Sequence, residues 1–442
     1  MSAEVDLFER LRRSERLARV RAEEDGLVGY YRPIEHADGP EVVMDGQPKL
    51  MFGSSNYLGL AHDPRILREA QRALDTYGTA TNGSRILNGT LRLHEELERE
   101  IAEWMGTESA TLFTSGYTAN LGALDAILTA KHKAICDSMC HASIFDGVRL
   151  SGARLYPFRH GRVSRLESVL QSTSGDDPGA RMVIADGIYS MEGDVTDLTS
   201  IAEVCERHGV RLYVDEAHAV GVLGENGTGA SEVFGVAERV DLRMGTMSKA
   251  LASMGGFIAG PHEVIEYIRF HSRAMLFTAS PVPAAAGAAL AAVRFCRTAE
   301  RLERAEEVLE NARYLRRGLT ELGFDVPVPS RTRDGREVMT PIVKVAIGDG
   351  DLTHALWKKL YHDGIYVHAA AYPSVPQGGA LLRLTAIHGH TRQHLDRVLD
   401  AFARLGHVGA APGGEAPGGE APGGNPTQVE ERPDDELAAA LS

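Results

Sequence analysis

The chain has 442 residues, 43% of them hydrophobic, enough to bury a large core, and a length that suggests two or three domains. Its formal net charge of -14 excludes the basic face that nucleic-acid binders carry and fits a cytoplasmic enzyme. The four cysteines, Cys136, Cys140, Cys205 and Cys296, include no second pair at zinc-site spacing, so they read as free buried thiols in a reducing compartment, with no metal site.

The first thirty or so residues interleave Val5, Leu7, Leu11, Leu17 and Val20 with charges, which predicts an amphipathic helix. No apolar h-region is present, so this segment is not expected to be a signal peptide. Residues 41–52 alternate weakly and predict a short hairpin. A long middle region then alternates strand-like and helical runs. Arg181–Asp186, Arg211–Asp215 and Asp241–Thr246 read as strands, each ending in a polar residue, with a helix over Leu198–His208. This rhythm predicts a mostly parallel sheet flanked by helices, an α/β fold in which ligands bind at the carboxyl ends of the strands. Asp186, Asp215 and Thr246 belong at that edge. The Ala-rich run Pro283–Val293 is too short to span a bilayer and reads as a buried helix, so no membrane contact is expected.

From Ala299 the pattern changes. A charged helix to Leu322 precedes strands at Ile342–Ala346 and Leu381–Thr385, with helices at Leu352–His362 and Thr391–Leu405. This predicts a smaller α+β domain. After His407 the sequence falls into APGGE, APGGE and APGGN repeats and an acidic stretch, a composition that predicts disorder, with at most a transient helix over Asp434–Leu441. The expected organisation is 1–50 N-terminal helix and hairpin, 51–298 large domain, 299–407 small domain and 408–442 tail.

Four local features carry chemistry. Lys249, in Gly245-Thr-Met-Ser-Lys249, follows a strand among small residues, where a partly desolvated amine suits Schiff-base chemistry and Thr246 offers a hydroxyl to phosphate. Taken alone, this reads equally as a surface lysine. Asp215, in Val214-Asp-Glu-Ala-His218, is a strand-end carboxylate able to pair with a protonated pyridine nitrogen, with His218 near a phenolic oxygen; a plain helix cap is the competing reading. Thr114-Ser115-Gly116-Tyr117-Thr118-Ala119-Asn120 opens an apolar helix whose first N–H groups suit phosphate, though an ordinary N-cap looks the same. His141, in Cys140-His-Ala-Ser143, has the ring to stack on a pyridine, a weak signal by itself. The Gly221–Gly229 stretch lacks the following helix of a dinucleotide loop and reads as a connecting loop.

Together these features resemble the α-oxoamine synthases, a family of fold-type I enzymes dependent on pyridoxal 5'-phosphate (PLP). The resemblance runs in order from about residue 40 to 405. It includes Asn56-Tyr-Leu-Gly-Leu60, Gly83-Ser-Arg85 with Gly89-Thr90 and His94, Ser190-Met-Glu-Gly-Asp194, and Leu382-Arg-Leu-Thr385. It implies that Lys249 forms the Schiff base and, with His141 stacked on the ring, is catalytic. Asp215 would meet the ring nitrogen and His218 the phenolic oxygen. Ser115, Gly116, Tyr117 and Thr246 would hold the phosphate, Ser190 would flank the cofactor, and Thr278 and Ser280 would reach the phosphate from a partner subunit of a homodimer. Asn56, Ser374 and Arg383 would bind substrate, Arg383 as a bidentate fork for a carboxylate. The implied reaction is decarboxylative condensation. A small amino acid displaces Lys249 from the cofactor, Lys249 removes the α-proton, and the carbanion attacks an acyl-CoA or acyl-carrier-protein thioester. Loss of the thiol and of carbon dioxide gives an α-aminoketone. The resemblance does not select the amino acid, the acyl group or the carrier. Transamination, or a non-catalytic scaffold subunit of a hetero-oligomer, are the competing readings. Ala80 and Ala252 stand where many members carry glycine.

Overall fold

The computed structural model describes residues 7–13, 29–175, 178–372 and 374–406. The tail after His407 and most of the segment expected to form the N-terminal helix lie outside them; Leu7–Arg12 is helical. An N-terminal meander comprises β1 (His36–Asp38), β2 (Glu41–Met44) and β3 (Gln47–Met51). The predicted hairpin turns at Asp45-Gly46, both with positive φ (52° and 67°), the conformation a two-residue hairpin of native twist requires.

The central sheet has seven strands: β4 (Ser109–Phe113), β5 (Lys133–Asp137), β6 (Arg154–Phe158), β7 (Arg181–Asp186), β8 (Arg211–Asp215), β9 (Leu242–Thr246) and β10 (Gly256–Gly260). Their spatial order is β4-β10-β9-β8-β7-β5-β6. Strands β9, β8, β7, β5 and β6 run parallel, and β10 is antiparallel to both β9 and β4. All six residues of β7 are buried, as expected where helices cover both faces. Helices Gly116–Ile127, Ala142–Ser151, Val163–Ser172 and Leu198–His208 follow β4, β5, β6 and β7. The register sets Asp186 opposite Asp215, and Asp215 opposite Met244, so the polar strand ends converge as anticipated.

The later elements also follow the sequence pattern. The helix Ala299–Glu321 leads through the short pair β11 (Ser330–Arg331) and β12 (Glu337–Val338) to β13 (Ile342–Gly348) and the helix Gly350–His362. Then come β14 (Ile365–Tyr366), β15 (His368–Ala370), β16 (Ala380–Thr385) and the helix Arg392–Leu405, capped by Thr391. That helix buries Leu395, Val398, Ala401 and Phe402, one face at helical spacing. Strands β13, β16 and β15 form an antiparallel sheet. A contact the pattern could not foresee joins β14 to β3 in parallel, Ile365 opposite Leu50. It places Asn56 and Tyr57, just after β3, beside the C-terminal strands. Among the described residues no helix is long and apolar enough to cross a membrane, and no His, Cys, Asp and Glu group suits a metal. All four cysteines are free and buried.

Candidate active site

The floor of the site is built from three elements. Asp215, at the end of β8, is 4% exposed. Its Oδ1 accepts from the Ala217 N–H at 2.9 Å and its Oδ2 from Asn120 Nδ2 at 2.7 Å. Asn120 lies one turn into the helix Gly116–Ile127. Its second amide hydrogen goes to Ser143 Oγ at 2.9 Å, and its carbonyl oxygen accepts from the Tyr213 hydroxyl at 2.6 Å. Ser143 Oγ in turn lies 2.7 Å from His141 Nδ1. A single amide thus fixes the strand-end carboxylate and the candidate stacking ring, with each of its polar atoms used.

Lys249 follows β9 and is half-buried. Burial lowers its ammonium to about 8, Arg383 acts in the same direction, and the Asp215 carboxylate opposes both. The amine is therefore partly neutral near neutral pH, as a nucleophile toward an aldehyde must be. The turn carrying it closes through the Ala252 N–H on the Lys249 carbonyl at 2.9 Å. Ala252 adopts φ +47°, a left-handed conformation that costs a non-glycine residue roughly 1 kcal/mol. The departure from glycine at this position therefore bears on the lysine turn itself.

The phosphate seat is steric. Ser115 caps its helix, its Oγ accepting from the Thr118 N–H at 3.1 Å. A Cβ on Gly116 would lie 2.8 Å from Thr246 Oγ1, and one on Gly256 would lie 2.7 Å from Gly116 Cα. Only glycine lets the helix start, the Thr246 hydroxyl and β10 approach this closely. Thr246 Oγ1 also lies 2.9 Å from Ser248 Oγ. The result is a helix N-terminus with hydroxyls beside it, which suits a phosphate dianion.

On the opposite side, Arg383 of β16 is 5% exposed. Its Nη1 meets His368 Nδ1 at 3.2 Å, while Nε and Nη2 have no hydrogen-bond partner among the described residues. A buried guanidinium with two unused donor atoms suits a carboxylate. Tyr57 brings its Oη to 2.6 Å from His218 Nδ1. Burial, then Lys249, Arg383 and His141, hold His218 well below the usual imidazole range, so its ring is neutral.

Other predicted residues lie apart from this network. Ser190 is half-buried in the loop after β7, and no described hydrogen bond joins it to Lys249 or Asp215. Ser280 Oγ lies 2.6 Å from Thr81 Oγ1, and its N–H donates to the Gly83 carbonyl. Thr278 is half-buried on the same segment. Ser374 sits exposed on a turn, its N–H on the Ala371 carbonyl. The Tyr117 side chain is half exposed and bonded to Asp146. Asn56 lines a cavity of about 300 Å³ with Gly53, Ser54, Tyr366 and His368, a lining that includes neither Arg383 nor Lys249. Sequence reasoning assigned no role to Asn120, Tyr57, Ser143 or His368. Asn120 had a signal, an amide inside an apolar helical run. His368 had none, since it arrives through its register opposite Arg383.

A lysine lowered by burial, a strand-end carboxylate, a glycine-opened helix start and a buried arginine meet at the carboxyl edge of a mostly parallel sheet. That constellation defines a fold-type I PLP enzyme. Residues 47–402 match the family model "Aminotransferase class I and II", and the chain belongs to that family. It is 37% identical over 380 residues to a serine palmitoyltransferase of Sphingobacterium spiritivorum, spanning 86% of this chain and 92% of that one. It is 38% identical over 382 residues to an 8-amino-7-oxononanoate synthase of Symbiobacterium thermophilum, spanning 86% and 94%. Among solved structures, a serine palmitoyltransferase from S. paucimobilis with a bound PLP–myriocin aldimine superposes with a TM-score of 0.83 at 32% identity, covering 90% of this chain and 98% of that one. Within the family, the chain is an α-oxoamine synthase.

Proposed function

We propose that this protein condenses a small amino acid with an acyl thioester, carried on coenzyme A or an acyl-carrier protein, to release carbon dioxide and thiol and form an α-aminoketone. The observation that carries the reading is the pairing of Lys249, lowered to about 8, with an Arg383 fork whose Nε and Nη2 are unused. PLP, when bound, supplies an electron sink for the α-carbanion. The Asp215 carboxylate would pair with the ring nitrogen and maintain that sink. Ser115, Gly116, Tyr117 and Thr246 would hold phosphate, His141 and Ser190 would flank the ring, and His218 would meet its phenolic oxygen. Arg383 and Asn56 orient the amino-acid carboxylate, with Ser374 at the substrate mouth. Lys249, once its amine is free, accepts the α-proton.

We also assign the finer organisation: a cytoplasmic homodimer with Thr278 and Ser280 serving the partner's phosphate site, and a large domain (51–298) followed by a small one (299–407). The apolar exposure of Leu87 (80%) and Phe277 (77%), on segments joined through Ser280 and Gly83, supports dimerisation. The test of function is direct. Purified protein with PLP should show a visible absorbance band that Lys249→Ala abolishes. An amino-acid and acyl-thioester screen should release carbon dioxide and free thiol in equal amounts. Formation of a 2-oxo acid without thiol would overturn condensation in favour of transamination.

A further inference from the structure

The segment 189–195, after β7, is held from two sides. On the side of the large sheet, His160 Nε2 lies 3.0 Å from Asp194 Oδ2, and its Nδ1 lies 3.0 Å from Asp137 Oδ1 at the end of β5. On the other side the segment lies against the sheet β13-β16-β15. Met191 packs on the buried cluster of Ala370, Val375 and Leu381. Gly193 has φ +67°, and a Cβ there would stand 2.8 Å from Ile342 Cγ2, so only glycine lets the segment approach β13. The Thr340 hydroxyl donates to the Gly193 carbonyl at 2.5 Å, and Ser330 Oγ accepts from the Val195 N–H at 3.0 Å.

Between Met191 and Gly193, the Glu192 carboxylate pairs with the Lys344 ammonium of β13. Their side chains are 21% and 15% exposed, so water screens the pair only in part. Lys344 is directly opposite Arg383 in the β13–β16 register, and His368 of β15 is opposite Arg383 on its other side. Opposed residues of antiparallel strands project from the same face, with Cβ atoms roughly 5 Å apart. Lys344, Arg383 and His368 therefore form one row. Lys344 and Arg383 are both cations, and like charges directly opposite repel. Glu192 supplies the counter-charge, and it does so on Lys344. The Arg383 Nε and Nη2 have no hydrogen-bond partner among the described residues. The row thus divides its work: Lys344 holds the protein's own carboxylate, and Arg383 is left for one from outside.

We propose that Lys344 is a positioning residue for substrate recognition: it engages Glu192, so that Arg383, on the neighbouring strand, stays available to the amino-acid carboxylate. This rests on the role given above to Arg383. Removing the Lys344 charge frees a partly buried carboxylate beside the row, where it competes with the substrate for Arg383 and repels it. Removing the Glu192 charge creates no such competitor. Removing both charges takes the competitor away again. If the pair only kept the segment in shape, losing either partner would weaken binding, and losing the second would restore nothing.

The test uses PLP-loaded wild type, Lys344→Met, Glu192→Gln, the double variant and Arg383→Gln. Glycine, L-alanine and L-serine are titrated against the cofactor's visible absorbance to give dissociation constants. Lys344→Met should weaken amino-acid binding about tenfold. Glu192→Gln should bind at least as tightly as wild type, and the double variant should return to within about twofold of it. Wild-type affinity in Lys344→Met, a severalfold loss in Glu192→Gln, or a double variant as weak as Lys344→Met would each overturn the proposal. The Glu192→Gln result needs no other variant, so it decides even if Lys344→Met does not fold. Arg383→Gln should abolish the titration. Wild-type binding in that variant would defeat the reading of Arg383 itself, whereas its loss, together with an unresponsive Lys344→Met, would defeat this proposal alone. Denaturant unfolding of the cofactor-free proteins gives a readout apart from the loaded enzyme. The midpoint loss in the double variant should be smaller than the summed losses of the single variants. Additive losses would mean that Lys344 does not engage Glu192, and would overturn the proposal.

Discussion

Lys249 and His160 show how surroundings decide what a titratable group does. The lysine is lowered by burial, and the histidine is raised because Asp137 and Asp194 outweigh burial. The histidine makes a stability prediction. Its folded value, about 10, lies above its ordinary value of 6.5, so its contribution is complete below about pH 6.5 and is lost as pH rises through about 10. Denaturant unfolding should show wild-type stability falling across that window. His160→Gln should cost about 3 kcal/mol at pH 6, because it leaves buried Asp137 without its cation, and should show a flatter pH dependence. Parallel pH profiles for the two proteins would contradict the assignment. The local motif around His160 carries no hint of this, because Asp137 lies 23 residues away and Asp194 lies 34 away.

At the scale of elements, the site depends on how closely a helix start approaches two strands. The Gly116–Ile127 helix, β9 and β10 meet where only a hydrogen fits at Gly116. Gly116→Ala sets its methyl 2.8 Å from Thr246 Oγ1 and 3.0 Å from Met244 Cε, so the helix must back away from the phosphate seat. PLP affinity measured by absorbance titration should fall about tenfold, roughly 1.4 kcal/mol, with the fold retained. An affinity within about twofold of wild type would argue that the phosphate lies elsewhere. The Ser-Gly-Tyr run was legible as a helix start, since Ser115 is a good cap and an apolar run follows. That it was more than a cap was legible only through the family resemblance and not from the segment itself, because the second wall, Thr246, arrives from 130 residues further along the chain.

At the scale of the whole molecule, the seven-stranded sheet gathers strand ends from β5, β7, β8 and β9 into one edge, and the β3–β14 pairing brings Asn56 and Tyr57 to the C-terminal strands that carry Arg383. Sedimentation of the full chain should give twice its 47.8 kDa mass. A double variant, Leu87→Asp with Phe277→Asp, should sediment as a monomer with reduced activity; a monomeric wild type would refute the dimer. The sequence by itself determined the alternation of strands and helices, because apolar periodicity is set by local geometry: six buried residues in β7, one apolar face in Arg392–Leu405. It also marked Lys249, Asp215, His141 and Arg383 through ordered motifs. Only the tertiary structure decided how these residues are held. Asn120 bridges Asp215 and Ser143 across 95 and 23 residues, His368 meets Arg383 through strand register, and Asp186 is left between two other carboxylates. Such partners are chosen by sheet order and register, which depend on long-range packing and leave no trace in the spacing of any one segment.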